Sequence, residues 1–253
     1  MLAILWQTLR AMITGLPHIV EEQLKLIFRT PIDQESTLVW RYLPFWKFED
    51  LINKSALYLA KATSFDDPQD CTVPQSSKNS LEKFDSIYSS SPDPSRIEKN
   101  FGDRVTREQF FISCWSTGAD ESNHMWNLCC DSGEGVVIQT TFAKLEAVCL
   151  QNEKGHPGCV QYGQGLSRTR NYFDFALWKT RKYKDEKEVR IVVQGSRDDQ
   201  FIMLTIEPTK LIESIRLHPH ATQTFYDRVQ SLLGSHQTSL TRVLGWSSLR
   251  KNV

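Results

Sequence analysis

The chain has 253 residues, 40% of them hydrophobic and 24% charged, with 30 basic side chains against 30 acidic ones. That composition suits a globular chain long enough to bury a sizeable core. Its zero formal charge excludes nucleic-acid binding by bulk electrostatics, and no apolar run reaches the roughly 18 residues that a membrane-spanning helix needs.

The opening stretch, residues 1–28, places Leu2, Leu5, Leu9, Met12, Ile13 and Leu16 at helical spacing. This predicts an amphipathic helix packed on a single domain spanning 1–253, or else a helix that binds a partner protein or a membrane surface. It lacks a basic leader, and Arg10 interrupts its apolar run, so no secretory signal is expected. "ESTLVWRYLPF" reads as a strand, "WKFEDLINKSALYLA" as a short helix and then a strand, and "KATSFDDPQDCTVPQSS" as a loop. Residues 75–96, rich in Ser and poor in apolar side chains, predict a mobile internal excursion.

"REQFFISCWST" is a buried strand, and "ESNHMWNLCCDSGEGVVIQTTF" a short helix capped by Asp120 or Ser122, a turn and a strand. "TFAKLEAVCLQ" is helical and "GHPG" breaks it before the strand "CVQYGQ". "RNYFDFALWKTRKYK" predicts a helix with Tyr172, Phe175, Ala176 and Lys179 near one face. "EVRIVVQ" and "QFIMLTIE" predict two strands of a hairpin joined through "GSRDD", followed by a helix and strand in "PTKLIESIRLHP" and a last helix in "ATQTFYDRVQSLLGSH". Strands and helices mix without regular βαβ alternation, which predicts an α+β fold rather than a doubly wound sheet.

The six cysteines, Cys71, Cys114, Cys129, Cys130, Cys149 and Cys159, contain no CxxC pair. This is neither a zinc spacing nor a disulfide framework, so no metal is assigned, and reduced thiols in a cytoplasmic protein are expected.

The charged side chains within apolar strands carry the functional question. Glu186, Glu188 and Arg190 share one face of a strand that begins early. They form either a solvated face with a weak Glu188–Arg190 pair or two carboxylates at a cleft, able to stabilise positive charge developing on a sugar. Arg41, between Trp40 and Tyr42, needs an acid or a ligand if buried. Ser113, Ser116 and Thr117 end a buried strand as ligand-bonding hydroxyls or as turn residues. Asp66, Asp67 and Asp70 could ligate a hard metal or shape the turn around Pro68, and Met125 and Trp126 are core or a stacking platform.

"WRYLPFWKFEDLINKSALYLAKATSFDDPQD", "FFISCWS", "HMWNLCCDSGEGVVIQ", "VQY" and "WKTRKYKDEKEVRIV" follow in an order and spacing that resembles the bacterial domain-of-unknown-function family 2971 over most of Val39 to Val192. The chain departs from that pattern at Asp66 and Gln69, and at Cys129 and Cys130. The same order of parts is similar to the Arg, Ser, Glu-x-Glu arrangement of ADP-ribosyltransferases.

That resemblance implies a mixed, largely antiparallel central sheet with peripheral helices, ADP-ribosyltransferase-like, and NAD as the substrate. Arg41 would hold its phosphates or ribose, Ser113 or Ser116 would order the nicotinamide pocket, and Tyr42 or Trp126 would stack on the ring. Glu188 would stabilise the oxocarbenium ion and Glu186 assist an unspecified acceptor, protein or nucleic acid among the options, in a toxin or defence role. Two alternatives stand beside it: a non-catalytic binding or interaction module, with Arg41 and Glu188 as a buried pair, and a metal-dependent nuclease using Asp67 or Asp70 with the acid-x-Lys run at Asp185 to Lys187.

Overall fold

The structure, a computed structural model, describes residues 36–72, 107–130, 133–163, 173–236 and 239–250. The helix expected over 1–28 and the excursion expected over 75–96 lie outside these residues. In chain order the elements are β1 (Leu38–Pro44), α1 (Phe45–Lys54), β2 (Ala56–Lys61), β3 (Phe110–Thr117), α2 (Asn123–Cys129), β4 (Gly135–Thr141) and α3 (Phe142–Gln151). There follow β5 (His156–Cys159), β6 (Gln161–Tyr162), α4 (Phe173–Ala176), β7 (Trp178–Lys179) and β8 (Glu188–Gln194). The last are β9 (Phe201–Thr205), α5 (Pro208–Leu211), β10 (Ser214–Leu217), α6 (Gln223–Ser235) and β11 (Leu244–Trp246).

Nine of these strands form one sheet in the order β11-β10-β4-β1-β3-β2-β9, with β8 and β5 branching from β3. Apart from β10 with β11, its pairings are antiparallel. The architecture is therefore α+β. β6 and β7 pair separately, in parallel.

β3 is the fork of the sheet. β8 runs along one edge of it from Phe110 to Ser116. The other edge is shared: β1 takes Ser116 and Thr117, and β2 takes Phe111 and Ile112. Between these two pairings, Ser113, Cys114 and Trp115 have no ladder partner on that edge.

The helices explain which face is the core. Phe45, Phe48, Leu51 and Ile52 of α1 recur at helical spacing and are buried; the helix starts straight after Pro44 and ends where Ser55 turns left-handed at φ 47°. Thr141 and Thr222 cap α3 and α6 by accepting from Lys144 and Phe225 backbone N–H groups. The apolar stripes of α1, α3, α5 and α6 meet Val39, Leu43, Phe111, Trp115, Val189, Ile191 and Val193 in one continuous core. The opposite face of the sheet has two smaller clusters, one around Ile112, Phe175 and Val192, the other around Trp40, Tyr42 and Trp126.

Three expectations are corrected. β8 and β9 are not a hairpin: β9 pairs with β2 and β8 with β3 and β5. "GSRDD" is a crossing over the sheet end, and it passes close to Phe111. A Cβ added at Gly195 would lie 2.8 Å from both Phe111 Cε2 and Ile202 Cδ1. The long helix expected across 170–184 is, over its described part, the four-residue α4, the short β7 and a 3₁₀ turn over Arg181–Glu186. "GHPG" does not merely interrupt: its last three residues open β5, where Pro157 is tolerated because β5 is an edge strand.

The crossing generates a test. Gly195→Ala should lower stability by about 1–3 kcal/mol, the cost of overpacking a filled site, read as a shift in the urea midpoint. An unchanged midpoint would show that the crossing has room to spare.

Candidate functional site

Strand parity fixes what can meet what. Ladder partners point to the same face of a sheet, and neighbours in sequence to opposite faces. Trp40 pairs with Ser116, and Ser116 with Glu188. Trp40, Ser116 and Glu188 therefore share one face, and Arg41 lies on the other. Arg41 and Ser113 face the helix-covered core, where the Arg41 guanidinium stands 5.6 Å from the Trp115 ring, and Trp115 Nε1 donates to Ser113 Oγ at 3.0 Å. The expected convergence of Arg41 and Glu188 on one cleft is corrected by the register.

Arg41 has a structural task instead. It sits where β1 and β2 part along the edge of β3, and its Nη2 donates to the Tyr58 carbonyl of β2 at 3.0 Å. Its buried Nη1 has no partner among the described residues. Burial disfavours the guanidinium charge and brings its pKa down to about 10.

On the other face, the two apolar clusters are separated by a chain of charges. Arg190 is fully buried and spends all five N–H donors. Nε and Nη2 donate to Glu188 Oε1 and Oε2, each at 2.9 Å. Nη1 and Nη2 donate to Asp70 Oδ1 and Oδ2, each at 2.7 Å, and Nη1 also to the Ala176 carbonyl at 2.7 Å. Glu188 reaches onward to Lys179 at 3.4 Å, and Lys179 Nζ donates to Glu186 at 2.6 Å. Side-chain exposure rises along this chain, from 0% at Arg190 and 5% at Glu188 to 14% at Glu186.

The electrostatics follow from this order. Burial pushes the Glu188 carboxyl up, but Arg190 and Lys179 beside it outweigh burial and hold it below the usual carboxylate range. Asp70 is held down in the same way by Arg190. Lys179 is buried, which opposes its charge, yet Glu188 and Glu186 hold its pKa above the ordinary lysine value. The Cys114 and Cys71 thiols flank this chain and are raised, first by burial.

The loop at 65–72 is built for its role. Asp67 Oδ1 accepts from the Gln69 N–H at 3.0 Å, and the Asp70 N–H donates to the Asp67 carbonyl at 3.1 Å, so the turn around Pro68 aims Asp70 inward. β6 supplies Tyr162, whose phenol oxygen accepts from the Glu188 N–H at 2.8 Å. The 3₁₀ turn over Arg181–Glu186 ends at Lys187, left-handed at φ 45°, which turns the chain into β8.

The remaining sites read from the sequence are placed as follows. Ser116 is buried on the Glu188 face. Trp126 is 1% exposed, donates through Nε1 to Glu121 at 3.1 Å and meets the Tyr42 ring edge-on at 4.9 Å. Tyr42 accepts from the Ser122 N–H at 2.7 Å. Both aromatics are core, not a stacking platform. Asp70 gives both oxygens to Arg190, and among the described residues no three His, Cys, Asp or Glu side chains are grouped to hold a metal ion. The sequence offered the Glu188–Arg190 pair only as a weak pair on a solvated face, against Glu188 as a carboxylate at a cleft; the structure has the pair, and it is buried. Sequence reasoning missed Asp70 and Lys179 as partners of that pair. The signal was present: Arg190 interrupts "EVRIVVQ" as Arg41 interrupts "LVWRYL".

Comparison with protein-family models, with curated proteins and with solved structures gives no match to this chain.

Two tests follow. Arg190→Met strands two buried carboxylates and should cost about 3–5 kcal/mol, as breaking a buried ion pair does, measured by denaturant unfolding. The pH dependence has a definite sign. Asp70 and Glu188 bind protons less readily folded than unfolded, so their stabilisation is complete above unfolded values of about 4 and is lost as pH falls through the folded ones. The part of the thermal midpoint that these two carboxylates supply, read as the difference between the parent and Asp70→Asn, should hold from neutral pH down to about pH 5 and then drop. An acid slope as steep in Asp70→Asn as in the parent would speak against the assignment.

Proposed function

We propose that this chain is a non-catalytic binding module whose charged residues on the Glu188 face are first of all structural. One observation carries this reading: both oxygens of Glu188 are engaged by Arg190 in a network nearly closed to solvent. Arg190 takes one lone pair on each oxygen, Lys179 and the Cys114 thiol bond the same carboxylate, and so little of its acceptor capacity is left for a substrate, while moving it would strand Arg190. The open end of the network, Lys179 with Glu186, is the part that can meet a partner molecule. The segments "FDDPQD", "FISCWS" and "KDEKEVR" bring Asp70, Ser116, Glu186, Glu188 and Arg190 to this one region.

A second reading, an ADP-ribosyltransferase or NAD-consuming enzyme with a toxin or defence role, has one observation in its favour. Ser116 and Glu188 share a face, and Glu186 joins them through Lys179 at the rim. In that chemistry Glu188 would stabilise the ribosyl oxocarbenium ion as nicotinamide leaves, and Glu186 would orient the acceptor. It would have to proceed without Arg41, whose side chain is across the sheet. The nuclease reading has no such support.

Incubation of the purified protein with NAD⁺ separates the two. The binding reading expects no nicotinamide above the buffer control. Nicotinamide release that falls at least about a hundredfold in a Glu188→Gln variant that still folds, and survives in Glu186→Gln, would overturn it in favour of the second reading.

A further inference from the structure

β9 ends the sheet, pairing with β2 along one edge only. In an antiparallel ladder the N–H and C=O of one residue point to the same side, and consecutive residues alternate sides. Ile206, just past the strand, donates to the Ser55 carbonyl on the β2 side at 2.9 Å. Thr205 turns the other way: its N–H donates to Asn152 Oδ1 and its carbonyl accepts from Asn152 Nδ2, each at 2.8 Å. Parity therefore turns Met203 and Phe201 outward as well. The outer edge is closed at both ends. Asn152, the residue that ends α3, takes Thr205. At the other end the Asp199 N–H donates to the Ser196 carbonyl at 3.3 Å, and the Asp199 carbonyl accepts from Lys61 Nζ at 3.0 Å. Between them the outward N–H and C=O groups of Phe201 and Met203 have no partner among the described residues.

This window carries apolar side chains. Phe201 is 52% exposed and Tyr58 of β2 is 41% exposed, and their rings stack at 5.3 Å. Tyr58 lies opposite Met203, and Ala60 lies opposite both Phe201 and Ile112, so Tyr58, Phe201 and Met203 stand on the Glu188 face. β9 contains neither a charged residue nor a proline, the usual guards of an open edge. A window of two residues is met in full by the same two residues of a copy. Run antiparallel to itself about a twofold axis at Ile202, β9 sets Phe201 opposite Met203 of the copy, and Met203 opposite Phe201, which pairs all four groups. Centring on Met203 would waste Phe201 against Thr205, which Asn152 holds. Centring on Phe201 would waste Met203 against Asp199, which Ser196 and Lys61 hold. Charge agrees with the first register. It lays the exposed Glu207 opposite the exposed Arg197 of the copy, and over 197–207 it opposes no two like charges.

We propose that β9 is a dimerisation edge, at which two copies of this chain join β9 to β9 antiparallel about Ile202, the Phe201 ring of each covered by Met203 of the other. Directly opposed residues share a face, so the Glu188 faces of the two copies lie on the same side of the joined sheet. The dimer does not depend on the binding-module reading. Under that reading it presents two rims of Lys179 and Glu186 together, and the module engages its partner twice.

Sedimentation velocity on the full chain, from about 2 to about 300 μM, tests the seam, and a seam this short should give a Kd of about 10–100 μM. Amide exchange at the two ends of that range locates it. Phe201 and Met203 should gain protection with concentration, while Ile202 and Leu204, bonded to β2, are protected throughout. Met203→Pro removes an outward N–H and leaves the β2 ladder its bonds, so it should raise the Kd at least about tenfold. Phe201→Lys, at an exposed position, should do the same, and it decides the matter where the proline variant fails to fold. A monomer at every concentration overturns the proposal. The edge is then left to water, to an extended segment of another protein or, where Phe201 and Met203 are protected throughout, to another part of this chain. A dimer that survives in the variant that folds overturns it too, because its seam lies elsewhere. Nicotinamide release removes the binding-module reading and leaves the dimer standing.

Discussion

A guanidinium buried in protein is tolerable only if every N–H is matched, and the Glu188 face of this molecule is organised around meeting that condition at Arg190. The matching groups come from three separate parts of the chain: Glu188 from the same strand, Asp70 from the loop after β2, and the Ala176 carbonyl from the strap before β7. Each part is short and poor in regular structure apart from β8. Without the arginine, the loop at 65–72 and the strap at 173–186 would have little to hold them against the sheet. With it, they close over the sheet and place Lys179 and Glu186 at the rim.

The charges along this chain alternate in sign, from Asp70 through Arg190, Glu188 and Lys179 to Glu186. Alternation lets each member offset the desolvation of its neighbours, which a single buried pair manages poorly. Three acids and two bases leave an excess of one negative charge, and the excess sits at the exposed end. The 3₁₀ turn that carries Glu186 also exposes Arg181, Lys182, Lys184 and Asp185, so both signs of charge meet the solvent there.

Much of the fold was legible in the sequence, because periodicity is a local signal. The stripe Phe48, Leu51, Ile52 gave α1, and runs of β-branched and aromatic residues gave β1, β3 and β8. What failed was non-local. "GSRDD" announces a change of direction but not which strand lies alongside next. The spacing of Phe175, Ala176 and Lys179 suits a helix, yet the tie from Arg190 to Ala176 and the ion pair from Lys179 hold that stretch as a strap. The site failed for a related reason. Whether Arg41 and Glu188 meet depends on parity, and a shift of one residue in register exchanges the faces of a strand. Nothing in either segment alone records that register.

The fork at β3 bears on how the chain is made. The strands that flank β3 on one edge, β1 and β2, precede it in the sequence, but the strand that covers its other edge is β8, some seventy residues later. A chain emerging from the ribosome can therefore assemble one side of β3 early and must leave the other side bare. That bare edge belongs to "FFISCWST", an apolar, charge-free segment of the type that pairs readily with copies of itself. Synthesis of the region between is a window in which this protein is open to misassembly, and the arrival of β8 closes the edge and delivers Arg190 to Asp70 in the same step.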